Sequence, residues 1–403
     1  MQFSFIHSAI FLVAAQCILA APTGTTLNMT ISLDGLAPQF SPVFPNINVS
    51  LSHSIPFYNN GPLDTNTTLS NVTLDLSNYP VAWSKPDVNH PEVKAVIKQI
   101  NWHLVPDYVP KTMLDYDLDQ THYDEEKDDT CWWTSTNCVK PKLTYLPQDY
   151  YTCPTKGDWG LSYDDGPLNM RTEYDGEDFE MENRFAEPRL YNFLAKENVT
   201  STLFYIGSNV LTYPDAARRA LFNGHTLCSH TWSHPTMTTQ TNEQVVAELY
   251  WTLKVIKEAT GVTPKCWRPP QGDVDDRIRS IAWQMGMSTV IWDRDTEDWA
   301  MPALGSGYYP PAMVDALFEK WIEEEEKNLT NSGIMVLEHE LNHATISMTE
   351  KWIPILKKTF NVVSALTCNG VFQPYWETDF KYPNIYNLSS TEETNSTTTK
   401  VTQ

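Results

Sequence analysis

Between residues 153 and 368 the chain alternates short apolar runs with longer stretches of helical spacing. DWGLSY (158–163), STLFYIG (201–207), HTLCSH (225–230), PKCWRPP (264–270), MSTVIWD (287–293), IMVLEH (334–339) and NVVSAL (361–366) read as strands. Residues 189–198, 214–223, 242–261, 275–286, 311–328 and a stretch ending near Lys358 read as helices. In the third of these, Val246, Leu249, Tyr250, Leu253 and Ile256 repeat at 3.6 residues, and Gly261 follows as a stop signal. Strands alternating with helices imply parallel pairing with crossover helices. The predicted fold is α/β, a distorted (β/α) barrel of about seven parallel strands.

The flanks differ in pattern. Residues 9–19 are apolar and lead into Ala20 and Ala21, so 1–20 reads as a signal peptide. No later run approaches the ~18 apolar residues of a membrane span. Residues 21–150 read as a largely irregular, glycosylated N-terminal extension, rich in Ser, Thr, Asn and Pro and then acidic at 114–129. That acidic run reads as solvated surface, without the glycine and spacing of a calcium loop. The catalytic unit is placed at 151–370, and 371–403 reads as a disordered Ser/Thr-rich tail.

Charge narrows the partners. Lys and Arg total 28 against 50 Asp and Glu, a formal net charge of −22. Such a chain repels nucleic acid and anionic lipid. Sequons at Asn28, Asn48, Asn66, Asn71, Asn198, Asn328, Asn387 and Asn395 favour a secreted, extracellular or wall-associated glycoprotein. Beyond Cys17, six cysteines remain, an even number with 15 possible pairings. Cys153 and Cys368 flank the catalytic unit, Cys228 and Cys266 each precede a polar motif, and Cys131 and Cys138 lie close in sequence. These three pairs are the expected disulfides. Trp132 and Trp133 read as core or lid, Glu323 to Glu326 as a solvated helix face, and His343 as a surface or supporting residue.

In a parallel barrel, reactive residues belong at strand C-terminal ends. Asp164-Asp165-Gly166-Pro167 follows the first strand, and His230 to His234 follows the third. Arg268 to Asp273 follows the fourth, Asp295 to Trp299 the fifth, and Leu337-Glu338-His339 closes the sixth. Two His at i and i+4 share one face of a helical turn. With one carboxylate they leave positions open for water and substrate, as catalytic metal sites require. Adjacent aspartates on an extended strand point in opposite directions, which divides metal binding from proton transfer.

Taken in order, SYDDGP, HTWSH, WRPPQG, DTEDW and VLEH resemble the five motifs of carbohydrate esterase family 4, the NodB or polysaccharide deacetylase family, and within it the fungal chitin deacetylases. The resemblance covers about 153–368. It implies Asp164 as general base, Asp165, His230 and His234 as metal ligands, Arg268 as the group orienting Asp164, and His339 as general acid. Asp298 is the implied partner of His339, with Asp295 the alternative. Gln271, Trp299, Tyr163 and Leu337 are the implied substrate-binding residues. Two positions depart from the pattern: Tyr163 stands for Phe, and Gln271 for an aromatic, keeping the backbone N–H implied to hold the oxyanion.

The implied reaction is metal-dependent hydrolysis of N-acetyl groups in chitin, with zinc, or else cobalt, as the ion. The expected partners are chitin or partly deacetylated chains, acted on by a monomer. The competing readings are a deacetylase of peptidoglycan or xylan, and a catalytically silent chitin-binding wall protein.

Overall fold

The computed structural model describes residues 73–168, 189–301, 309–378, 380 and 382. The expected signal peptide, most of the tail, and the sequons at Asn28, Asn48, Asn66, Asn71, Asn387 and Asn395 lie outside these residues. Asn198 and Asn328 are both exposed.

A curled, all-parallel sheet forms the centre. Its strands are β1 (Asp158–Gly166), β2 (Thr202–Tyr205), β3 (Thr226–Ser229), β4 (Cys266–Trp267), β5 (Ser288–Thr289), β6 (Arg294–Asp295), β7 (Ile334–His339) and β8 (Asn361–Ser364). Seven run in the order β5-β4-β3-β2-β1-β7-β6. β8 and β2 share one edge of β1: β8 pairs with Asp158–Leu161, β2 with the half beginning at Ser162. On the other edge β7 pairs with β1 from Trp159 to Asp164, setting Asp164 beside His339. The helices that cover the sheet include α1 (Arg189–Lys196), α2 (Gly207–Thr212), α3 (Pro214–Phe222), α4 (Asn242–Thr260), α5 (Asp276–Gln284), α6 (Pro311–Glu326) and α7 (His343–Leu356). The architecture is the distorted (β/α) barrel that the alternation predicts.

One predicted strand is corrected. MSTVIWD is strand only at β5, Ser288–Thr289; the rest of the run is not, and β6 begins just beyond it at Arg294. The backbone between them is engaged elsewhere. Ile291 N–H donates to Tyr150 O at 2.8 Å, while Val290 O and Ile291 O accept from the Arg268 guanidinium at 3.4 and 3.1 Å.

The described part of the N-terminal extension is not a separate body. It has only short elements, yet Tyr79, Val93, Val96, Ile100 and Val105 join the main core. It covers the outer face of α4, which is buried nearly all round. There Lys254 Nζ reaches Glu92 at 2.9 Å, and Tyr250 OH donates to the same carboxylate. α4 begins with a capping box of Thr241 and Gln244 and ends at Gly261, whose φ of 87° suits a residue without Cβ. Trp132 is fully buried, and Trp133 packs edge-on against Trp292. The disulfides are Cys131–Cys138, Cys153–Cys368 and Cys228–Cys266, as expected.

Candidate active site

The site forms where β1, β3, β4 and β7 end. A cavity of about 700 Å³ opens there, lined among others by Asp164, Asp165, His230, His234, Gln271, Trp299, Leu337 and His339. That volume suits an organic ligand of several rings.

Asp164 and Asp165 both reach this cavity, although neighbours on a regular strand point apart. A bulge resolves the conflict. The β1–β2 register skips Asp165, whose φ is +72°, and resumes at Gly166. A Cβ on Gly166 would overlap the Glu340 carboxylate, so glycine is required immediately after the bulge.

Asp164 is held by a buried cation. Arg268 Nη1 donates to Asp164 Oδ1 at 2.7 Å and to Ser162 Oγ at 2.9 Å. The guanidinium carbon also lies 4.0 Å from the Phe204 ring centroid. Burial pulls the guanidinium below its ordinary pKa, and the Asp164 charge opposes that.

His230 and His234 do not sit on a helical turn; they lie in a loop after β3 in which Thr231 and His234 take φ of +69° and +54°. The loop backbone is satisfied from outside. Glu248 on α4 accepts Trp232 N–H at 2.9 Å, Ser233 N–H at 2.8 Å and Ser233 Oγ at 2.7 Å. Thr231 Oγ1 accepts His234 N–H at 3.1 Å. Burial raises the Glu248 carboxyl above its ordinary pKa, against these donors. Trp232 anchors the loop, stacking on Tyr79 at 6.1 Å.

Asp165 Oδ1 is buried with no hydrogen-bond partner among the described residues, an arrangement that is costly unless another ligand satisfies it. It lies 3.4 Å from His230 Nε2 and 3.3 Å from His234 Nε2. Two ligands of a tetrahedral ion with bonds near 2.05 Å are separated by about 3.3–3.4 Å. His230 Nδ1 lies 2.8 Å from Arg268 O, so it carries the proton and leaves Nε2 as a lone-pair donor. Burial pushes His234 below its ordinary pKa, against the pull of Asp165, which favours the neutral ligand form. These three residues therefore fit a divalent metal. Cys131 and Cys138, the thiol pair near Asp128, are joined to each other and supply no thiolate.

Of the two carboxylates in DTEDW, Asp298 contacts His339. Its Oδ1 lies 2.7 Å from His339 Nδ1, and its Oδ2 accepts His339 N–H at 2.8 Å. Burial lowers the imidazole pKa, but the Asp298 charge and hydrogen bond prevail and push it up to about 10. Asp295 instead accepts Glu297 N–H at 2.9 Å, and burial pushes its carboxyl up to about 6.

Tyr163 is a correction among the expected substrate contacts. Strand alternation turns it to the face opposite Asp164, where it is fully buried and does not line the cavity. Leu337 shares the inward face with His339; Glu338 faces outward, where burial pushes its carboxyl up to about 8. Gln271 lines the cavity at φ +58°, its Oε1 accepting from Thr236 Oγ1 at 3.0 Å.

Two supporting residues lie outside the five motifs and have no role assigned from the sequence. Glu248 is a buried carboxylate on the apolar face of α4, and that break in pattern is the available signal. Asp273 ends WRPPQGD and accepts from Trp132 Nε1 at 2.8 Å, Thr134 Oγ1 at 2.8 Å and Thr238 N–H at 2.7 Å. It ties the extension to the loop carrying Gln271.

The family model described as polysaccharide deacetylase matches residues 152–290. A chitin deacetylase of Amylomyces rouxii is 36% identical over 328 residues, which span 80% of this chain and 73% of that protein. Chitin deacetylase 2 of Cryptococcus neoformans var. grubii is 37% identical over 339 residues, covering 82% and 70%. Chitin deacetylase 1 of the same organism is 31% identical over 395 residues, covering 92% and 78%.

Proposed function

This chain belongs to the polysaccharide deacetylase family, and from that premise we propose that it hydrolyses the N-acetyl groups of chitin, releasing acetate and leaving glucosamine units. The observation that carries the chemistry is the convergence of three sets on one cavity: the Asp165–His230–His234 trio, the Asp164–Arg268 pair and the Asp298–His339 pair. The substrate rests on the relatives named above.

Asp165, His230 and His234 are the metal ligands in this reading. Two imidazoles and a carboxylate suit zinc, and cobalt fits the same donors. A divalent ion held there supplies Lewis acidity toward the amide carbonyl and makes water acidic near neutral pH.

The chain's own groups move the protons. Asp164, oriented by Arg268, takes a proton from the attacking water as its oxygen bonds to the carbonyl carbon. The Gln271 N–H donates to the carbonyl oxygen as negative charge grows there. His339, kept protonated by Asp298, gives its proton to the departing nitrogen as the C–N bond breaks. An amine is too basic to leave as an anion, so this last transfer is needed. Each acid or base group contributes about 10²–10⁴-fold.

Three disulfides and a leading apolar segment support export to the extracellular space or wall. Among the described residues no helix is long and apolar enough to cross a membrane.

The test is acetate release from chitin oligomers and from acetylated xylan, before and after chelation. The expected result is activity on chitin oligomers, lost with chelator and restored by zinc or cobalt. Activity on xylan alone overturns the substrate, chelator resistance overturns the metal, and sugar binding without acetate release overturns the enzyme reading.

A further inference from the structure

A small hairpin projects from the N-terminal segment, outside the stretch matched by the family model. Met113–Leu114 pairs antiparallel with Asp117–Leu118 across the two-residue turn Asp115-Tyr116. Asp115 takes φ +56°, which allows so tight a reversal. A hairpin this short needs outside support. Asp119 N–H donates to Thr112 O at 2.8 Å and closes its open end. Lys111 N–H then donates to Thr238 O at 2.9 Å, and Thr238 is bonded to Asp273. Lys111 Nζ also lies about 4 Å from the Tyr123 and Trp132 rings. The hairpin is thus fixed to the loops carrying His234 and Gln271.

Its side chains break the usual rule. Tyr116 is 96% exposed, and Met113 and Leu114 are about half exposed. One exposed apolar residue is ordinary, but three within four positions on an anchored turn are not. Met113, Tyr116, Asp117 and Leu118 line the same cavity as Asp164 and His339. Trp299, 46% exposed, lines it too. The cavity therefore extends beyond the reacting centre to a wall carrying a solvent-facing aromatic ring on an anchored turn.

We propose that this hairpin positions the sugar units flanking the one being deacetylated, with Tyr116 as the face on which a pyranose ring stacks. Pyranose rings present apolar C–H faces, and a tyrosine ring covers them with little loss of side-chain freedom. Because the hairpin backbone is already anchored, only the Tyr116 side chain is left to be ordered on substrate binding. Tyr116 touches no reacting atom in this reading; it is a positioning residue that favours longer chains. The inference rests on the chitin reading above.

The experiment uses the full chain and chitin oligomers of two to six units. Tyr116→Ala is expected to raise KM for the longest oligomers by about 3–10-fold, the range of one aromatic contact. The effect should shrink with chain length and fall on KM, while Tyr116→Phe, which keeps the ring, should stay close to the parent. Oligomer binding to Asp164→Asn, with and without Tyr116→Ala, reads the same contact without turnover. An equal change at every length, an effect on kcat alone, or unaltered binding overturns the proposal. If the parent chain releases no acetate from any oligomer, the functional reading itself fails; if it does and Tyr116 is indifferent, only this inference falls.

Discussion

Asp298 holds His339 at two points, accepting the ring at Nδ1 through Oδ1 and the backbone N–H through Oδ2. One carboxylate thus fixes the orientation of the imidazole and its charge. Burial alone would drive the ring neutral; the adjacent charge outweighs burial and lifts the pKa to about 10. Asp298→Asn removes the charge and keeps the shape. The imidazole pKa then falls, so the alkaline limb of kcat moves to lower pH and the rate drops by about 10²–10⁴-fold. A raised His pKa stabilises the fold fully below the unfolded value near 6.5, and that contribution disappears as pH rises through about 10. The variant should therefore lose thermal stability most in acid to neutral solution and converge on the parent at high pH. A kcat–pH profile unchanged in position would refute this role.

The two neighbouring aspartates make separable predictions. Asp164→Asn should keep its metal and lose about 10²–10⁴-fold in rate, because the amide takes no proton from water. It also removes the only carboxylate paired directly with buried Arg268 among the described residues, which costs about 3–5 kcal/mol at most and lowers the melting temperature. Asp165→Asn should lose the metal. Elemental analysis after desalting, with melting curves, distinguishes them; equal metal loss in both would merge the assigned roles.

What the sequence revealed and what it hid follow from range. The reactive side chains were legible because charged residues at strand ends stand out against apolar runs. The three disulfides were legible from where their cysteines fall along the chain. The bulge at Asp165 was not, because it depends on β2 skipping one residue of the register. The non-helical form of the His230–His234 loop was hidden for a similar reason: its backbone partner, Glu248, lies 15 residues beyond Ser233. The packing of the N-terminal segment escaped notice because Tyr79, Val93, Val96 and Ile100 are sparse among polar residues, and the face they cover belongs to the distant α4. Tyr163 misled because aromatic identity says nothing about which face of β1 it occupies.

Glu248 gives a test of that long-range support. Glu248→Ala strands the buried backbone N–H of Trp232, at a cost of about 1–3 kcal/mol, and the half-buried N–H of Ser233, at a smaller one. The loop then no longer presets His230 and His234. Metal affinity should fall about 10–100-fold. Glu248→Gln retains one acceptor oxygen and should lose less. Competition with a chromogenic chelator measures both; an Ala variant with parental affinity would show that the loop forms without Glu248.

The three disulfides separate stability from function, because they close loops of very different length. Cys153–Cys368 spans 215 residues, Cys228–Cys266 spans 38 and Cys131–Cys138 spans 7. Chain entropy alone assigns them about 5, about 4 and about 2–3 kcal/mol. Replacing each pair with serine should lower the melting temperature in that order. Their effect on the site should follow a different order. Cys228–Cys266 clamps the adjacent strands β3 and β4 just before His230 and Arg268, so its loss should let the His230–His234 loop drift from Arg268 and Asp164. That variant should show weaker metal binding and lower kcat at temperatures where it remains folded. The Cys153–Cys368 variant, with the larger stability loss, should keep parental kcat under the same conditions. If loss of kcat simply tracked loss of stability across the three variants, the clamp would have no local role at the site.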